Sequence, residues 1–490
     1  MLFLSERKEV VMSREDLLNI VPLFILTSAA ILILFSIAIK RNHKVIYVIT
    51  ALSLLADFIF LVTVDTPAKG IIEPLFIFDG FGKFNFGLIL ITALALTMLS
   101  YAYFEQREER KEEYYILLIL ATLGACTLVI SKHFVSLFLG LEILSVSLYS
   151  MIAYLRKRKR SDEAGIKYLI MAAFSSAFML FGMALIYYTT GSMEFGAIAS
   201  YLAPFSKLPL LMIAGLGFLL IGIGFKLGVV PFHMWIADVY EGAPLPVTSF
   251  IATVSKGGIV ILLVRFFLQI NGHQYTSLVV IFSVVAIASM FIGNLLALQQ
   301  QNIKRILAYS SISHMGYILV AFLAGGSLGI EAVAFYLVAY FITTVGAFGI
   351  LTTLSDSQRD AELFDDVRGL FWRRPWTAAI FSAMLLSLAG VPLTAGFVGE
   401  FYIVAAGVQG NMWLLVIILV INSAIGLFYY IRIISIMSEK QEAIDRPEVT
   451  LKPSVYFISG ITIAALVIAL FWVGIFPDRL MTLIRFLIFS

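Results

Sequence analysis

Long apolar runs separated by short polar or basic stretches recur from one end of this chain to the other. A helix needs about 20 apolar residues to cross a hydrocarbon layer about 30 Å thick. Fourteen segments meet that length: 19–40, 43–65, 84–103, 113–131, 133–154, 164–190, 208–230, 244–266, 275–297, 304–324, 328–354, 375–408, 411–437 and 453–475. Runs such as Tyr115 to Ile130 lack the every-second-residue alternation of barrel strands. The pattern predicts an all-α polytopic membrane protein of about fourteen transmembrane helices.

Composition points the same way. Of the 490 residues 61% are hydrophobic and 13% charged, against about 25% charged in soluble domains, and mean hydropathy is +0.98. Too little polar surface exists to coat a water-facing globule, so lipid is the expected solvent. A net charge of +3 is too small to suggest nucleic-acid binding. The single cysteine, Cys126, excludes internal disulfides, Cys-ligated zinc and iron–sulfur clusters held by this chain. Residues 1–16 lack a signal-peptide layout, so the first apolar segment is expected to remain as a span.

The basic residues test the span count through the positive-inside rule. With the N-terminus outside, inside loops hold twenty-one of the 34 Lys and Arg, including Arg156 to Arg160, Lys304, Arg305 and Arg446; outside segments hold nine, Arg7 and Lys8 among them. This asymmetry predicts a multi-pass protein of a cell membrane with both termini on the outer side. Basic residues at the ends of spans count with the loops, and the remaining four, Lys167, Lys226, Lys256 and Arg265, are assigned to spans.

Two spans are interrupted. Span seven ends in Lys226-Leu-Gly-Val-Val-Pro231-Phe-His233, and span twelve contains Leu388-Ala-Gly390-Val-Pro392-Leu-Thr394-Ala-Gly396-Phe-Val-Gly399-Glu400. Pro231 and Pro392 lie 161 residues apart, and spans four and nine start about as far apart. Spans 4–8 and 9–13 therefore read as two five-helix repeats, the second inverted because five is odd. The expected units are a three-helix segment 1–112, a first repeat 113–266, an inverted repeat 267–437, and a C-terminal helix and tail 438–490. Paired breaks at Pro231 and at Gly390 with Pro392 point to a transport site; the bland alternative is the general frequency of Pro and Gly in membrane helices.

An ionisable side chain within a span costs at least ~2.5–3.5 kcal/mol and marks a functional site by default. Glu142 shares a helix face with Ser145 and Tyr149. Lys226 precedes the first break, and Glu400 follows the second. Ser249, Thr253 and Lys256 form one stripe, and Ser310, His314 and Tyr317 another. A carboxylate approaching a buried lysine favours its charged form, and withdrawal favours proton release, so these groups suit a proton relay. Static readings stand beside it: a Glu142–Lys226 pair fixing helix register, Lys167 snorkelling to the surface, Arg265 as an interfacial anchor, and His233 and His314 as packing residues. Asp57 is isolated, and nothing has metal-ligand spacing.

These residues sit in longer stretches that carry a resemblance. They are Gly140-Leu-Glu142-Ile-Leu-Ser145-Val-Ser-Leu-Tyr149, Phe225-Lys226 through Asp238-Val-Tyr240-Glu-Gly242-Ala-Pro244, Ser255-Lys256, and Asn302-Ile-Lys304-Arg305 through His314-Met-Gly316-Tyr317. They resemble the antiporter-like, proton-translocating subunits of respiratory complex I, most closely the N-type, over about residues 75–435. Mrp sodium/proton antiporters and energy-converting hydrogenases belong to the same wider family. The resemblance implies Glu142, Lys226, Lys256 and Glu400 as the relay; the polar stripes and buried groups add His233, His314, Lys167, Ser145, Tyr149, Ser249, Thr253 and Tyr317 as further candidates. Glu400 departs from the lysine common at that place in the N-type and matches the M-type or Mrp form. No cofactor is expected on this chain; quinone, flavin and iron–sulfur clusters belong to partner subunits. The implied partners are other antiporter-like and small membrane subunits and a peripheral redox arm, so any catalysis is that of the assembled translocase. An Mrp-type antiporter, a solute carrier using the breaks and a purely structural subunit are the alternatives.

Overall fold

The computed structural model describes residues 14–64, 69–72, 74–107, 110–440 and 453–489. The topology signals Arg7, Lys8, Arg446 and Lys452 lie outside them. Helices dominate because lipid offers no partners to backbone N–H and C=O groups, which an α-helix satisfies internally. They are α1 Arg14–Ile39, α2 His43–Thr63, α3 Gly80–Glu105, α4 Glu113–Val129, α5 Phe134–Ile152, α6 Lys159–Thr190, α7 Leu210–Leu227, α8 Leu245–Gln269, α9 Thr276–Leu298, α10 Ile303–Ala324, α11 Gly326–Leu354, α12 Pro375–Leu388, α13 Ala395–Gln409, α14 Trp413–Ser438, α15 Pro453–Ile475 and α16 Pro477–Phe489. Twelve are long and apolar enough to cross a membrane; α4, α12 and α13 are shorter apolar helices. The apolar run 375–408 is thus two helices, α12 and α13, separated at the glycine–proline break.

A two-stranded hairpin, Lys69–Ile72 with Phe76–Asp79, marks one end of the bundle, and the basic loops mark the other. Asp79 caps α3 by accepting from Gly82 N at 2.7 Å, and Asn302 caps α10 by accepting from Arg305 N at 3.2 Å. Such caps satisfy N–H groups that a helix start leaves unpaired.

The core lies on three helices. The most apolar window of α8 is 100% buried inside the protein, that of α10 94% and that of α11 89%, against 28% for α2 and α15. Peripheral helices dock through small residues: a Cβ on Gly182 of α6 would lie 2.6 Å from the Gly215 carbonyl of α7. This close approach recovers packing energy where lipid removes the hydrophobic drive.

Arg265 is not an interfacial anchor. It is 4% exposed and donates to both carboxylate oxygens of Asp79, at 2.8 and 2.7 Å, and to the Val129 carbonyl at 2.9 Å. It thereby locks the hairpin onto α8 and α4. At the basic end Asp360 plays the corresponding part. Its carboxylate meets Arg107 at 3.1 Å, Arg158 at 3.1 Å and Lys304 at 3.2 Å, and accepts from Tyr103 at 2.7 Å.

Candidate functional site

The interrupted helices put charge where the helix dipole favours it. Lys226 occupies the last turn of α7, whose carbonyls carry partial negative charge. Glu400 sits in the second turn of α13, towards its positive end. Both are buried, at 5% and 8% exposure.

Lys226 does not form an ion pair with Glu142. Its ammonium donates to Ser145 Oγ at 2.6 Å and lies 5.5 Å from the centre of the Tyr168 ring. Glu142, half-buried on α5, accepts from Ser176 of α6 at 2.8 Å. Ser145 is thus the residue that links the α5 stripe to the lysine. Past the break, Trp235 Nε1 donates to the Phe225 carbonyl at 2.9 Å and the short helix Ile236–Gly242 begins. His233 lies on that connecting segment, 8% exposed, with Nδ1 unpartnered among the described residues.

Lys256 follows a π-turn, Ile251–Ser255, in the middle of α8, a feature often found at functional positions. Its ammonium, 1% exposed, donates to Ser311 Oγ of α10 at 2.8 Å. The Tyr240 hydroxyl lies 3.4 Å from the same Ser311 oxygen. One turn on, His314 Nδ1 meets Tyr336 OH of α11 at 2.7 Å, and Nε2 meets Tyr430 OH of α14 at 3.1 Å. The rings of Tyr429 and Tyr430 touch, 4.4 Å between centres, and Tyr429 donates to Asn294 at 2.9 Å. Asn294 Nδ2 in turn lies 3.5 Å from the Tyr317 hydroxyl. Glu400 ends the series, accepting from Ser423 of α14 at 2.8 Å.

Other expected residues fall differently. Thr253 donates to the Ser249 carbonyl at 2.7 Å, while the Ser249 hydroxyl has no partner among the described residues. Tyr149 is half-buried below Glu142. Lys167 lies off the line: its side chain is 45% exposed and paired with Glu163 at 2.7 Å and Asp238 at 3.0 Å. Sequence spacing missed Ser176, Ser311, Tyr336, Tyr430 and Ser423. Tyr336 and Tyr340, four residues apart on a span, were the available signal.

Gly390 shows what the second break is for. Its φ of +69° is a left-handed conformation, and an added Cβ would lie 2.5 Å from Glu400 Oε2. Gly191 has φ +71° but open space around it. Each Gly→Ala change should therefore cost about 1–2 kcal/mol of backbone strain, visible as similar losses in thermal unfolding. Only Gly390→Ala should also displace the Glu400 carboxyl and lower ion transport.

No group of three His, Cys, Asp or Glu side chains among the described residues is placed to hold a metal ion. What the site can do is donate and accept protons over a series of short contacts.

Residues 131–426 match the protein-family model described as NADH:quinone oxidoreductase/Mrp antiporter, TM. The NADH-quinone oxidoreductase subunit N of Nitrosospira multiformis is 48% identical over 480 residues, 95% of each chain. That of Methylococcus capsulatus is 43% identical over 473 residues, 96% of this chain and 94% of the relative. Among solved structures, a chain of respiratory complex I from Thermus thermophilus with bound aureothin is 28% identical with a TM-score of 0.79, covering 94% of this chain and 98% of that one.

Proposed function

Because the chain belongs to the NADH:quinone oxidoreductase/Mrp antiporter family of membrane subunits, we propose that it is the N-type proton-translocating subunit in the membrane arm of a complex I-like quinone oxidoreductase. The observation that carries this reading is the set of polar contacts made inside the bundle by Glu142, Lys226, Lys256, His314 and Glu400, each held by a hydroxyl of a neighbouring helix. Its partners are other antiporter-like and small membrane subunits together with a peripheral redox arm, and quinone, flavin and iron–sulfur chemistry resides in those partners.

In this reading α12 and α13 make one broken crossing, giving fourteen crossings with α1–α11, α14 and α15. The units 113–266 and 267–437 are inverted repeats, and the basic end faces inwards, leaving both termini outside. The glycine–proline breaks themselves, at Pro231 and at Gly390 with Pro392, 161 residues apart between the prolines, support two repeats, and the five helices in each make the second inverted.

The steps follow from the contacts. A change of charge in a neighbouring subunit shifts Glu142, held by Ser176, relative to Lys226, which donates to Ser145 three residues further along α5. Losing or gaining that carboxylate field decides whether Lys226 keeps its proton. Lys256 holds the next proton against Ser311, and His314, between two tyrosine hydroxyls, passes it towards Glu400. Ser249, on the same stripe as Lys256, is a buried hydroxyl unpartnered among the described residues. Buried polar groups require partners, and this position suits a transient water beside the titrating groups.

The Mrp-type alternative uses the same scaffold, but sodium takes several oxygen ligands, and the series offers single carboxylates 258 residues apart in sequence. The assembled complex in sealed vesicles should acidify one side on donor oxidation at the same rate with or without sodium. A proton flux that requires sodium would replace this reading with the antiporter one.

A further inference from the structure

At the basic end a groove of about 1050 Å³ opens between α4, α5 and α6, meeting the polar stripe of α5 at Tyr149. It exceeds the usual upper size of about 1,000 Å³ for a small-molecule cleft. Its walls are bulky and apolar. Ile166 is 57% and Leu169 44% exposed, with Leu117 and Tyr149 half-buried beside them. Its rim is cationic: Arg110 precedes α4, and Arg156 and Lys157 follow α5. Of the acids on the rim, Glu113 is engaged by Arg41 at 2.7 Å, and Asp162 sits in the first turn of α6. The side chains of Arg110 and Arg156 are exposed and have no ion pair among the described residues.

We propose that this groove binds an anionic phospholipid, its phosphate held by Arg110, Arg156 and Lys157 and its acyl chains lying along Leu117, Ile166 and Leu169. The order of chemistry along the groove is that of a lipid in a leaflet: charge at the surface, apolar wall below. Basic pockets between membrane helices recognise such headgroups, at about 1 kcal/mol per nearby Lys or Arg. A partner helix fits less well, because helices in lipid associate through small residues and close backbone approach. Of the small residues in the lining, Gly165 and Ala153 already pack on each other, the Gly165 Cβ position lying 2.7 Å from Ala153 Cβ, which leaves Ser150 exposed. The site is independent of proton transfer and needs only that the protein is embedded in lipid.

Native mass spectrometry of the delipidated full chain, with dioleoyl phosphatidylglycerol or dioleoyl phosphatidylcholine added, tests this. The wild type should retain phosphatidylglycerol at least tenfold better. Arg110→Gln with Arg156→Gln should weaken phosphatidylglycerol binding about thirtyfold, the effect of two nearby charges, and leave phosphatidylcholine unchanged. Ile166→Trp with Leu169→Trp, which fills the wall, should weaken both lipids. Equal retention of the two lipids, or wild-type phosphatidylglycerol binding in the charge variant, would overturn the proposal. In the assembled complex a photo-cross-linking residue at Leu169 should label lipid, whereas labelling of a neighbouring subunit would show that a protein helix occupies the groove.

Discussion

Lys226→Ala should reduce proton translocation by the assembled complex to below a tenth of the wild-type value, with subunit assembly intact. Lys226 is the ammonium that meets the α5 stripe, and Ser145 is its hydrogen-bond partner among the described residues. Removing it deletes the proposed proton carrier between Glu142 and the α8–α10 cluster, and alanine offers no titratable substitute. The fold should tolerate the loss. No carboxylate is ion-paired to Lys226 among the described residues, so the change leaves no abandoned partner charge, which is what makes breaking a buried pair costly. Glu142→Gln provides the isosteric counterpart: its amide oxygen still accepts from Ser176, while the charge that governs Lys226 is gone. Proton uptake into vesicles, measured beside donor oxidation and a native gel of the complex, separates the outcomes. Full pumping in an assembled Lys226→Ala complex would leave the polar series a structural seam.

The sequence made twelve of the fourteen expected spans, the two breaks and the buried charges legible for one physical reason. Lipid taxes polar atoms so heavily that each exception stands out against its neighbours. It did not disclose the contacts. On helices that are apolar nearly all round, spacing says which residues share a face but not which helix that face meets. Spacing singled out Ser310 on the stripe of His314 and Tyr317, yet it is Ser311 that receives Lys256, although both serines donate to the carbonyl three residues back. The π-turn at Ile251–Ser255 changes the register between Ser249 and Lys256, a shift that regular 3.6-residue spacing does not contain. Tyr336 and Tyr430 reach His314 from two other helices, and nothing local to either residue announces it. Arg265 likewise resembled a surface anchor because its partner, Asp79, lies 186 residues away.

Long-range pairing of that kind also fixes the basic end, and its removal should be the most damaging change to stability. Asp360→Asn should destabilise the solubilised chain by on the order of 3–5 kcal/mol, the cost of breaking a buried ionic cluster by deleting one partner. Lys304 is 0% exposed and Arg107 5%, so neither can turn to water when the carboxylate is neutralised. Lys304 also donates to the carbonyls of Glu241 at 2.9 Å and Ala243 at 2.7 Å. It thereby holds the end of the Ile236–Gly242 helix that continues from the α7 break. Losing its counter-charge should loosen the segment that positions Lys226 as well as the loop. Acidity provides an independent check. Burial by itself pushes the Asp360 carboxyl up, but Lys304, Arg158 and Arg107 outweigh it and hold the group at about 2, below the about 3.9 of an unfolded aspartate. A carboxyl depressed on folding contributes its full stabilisation above the unfolded value, on the order of 2–3 kcal/mol here. That contribution disappears as the pH falls from about 4 to about 2. Thermal unfolding across this window should show the wild type losing stability along a component that Asp360→Asn lacks. Parallel curves for the two proteins would mean that the cluster carries no net charge stabilisation, and that Asp360 acts by hydrogen bonding alone.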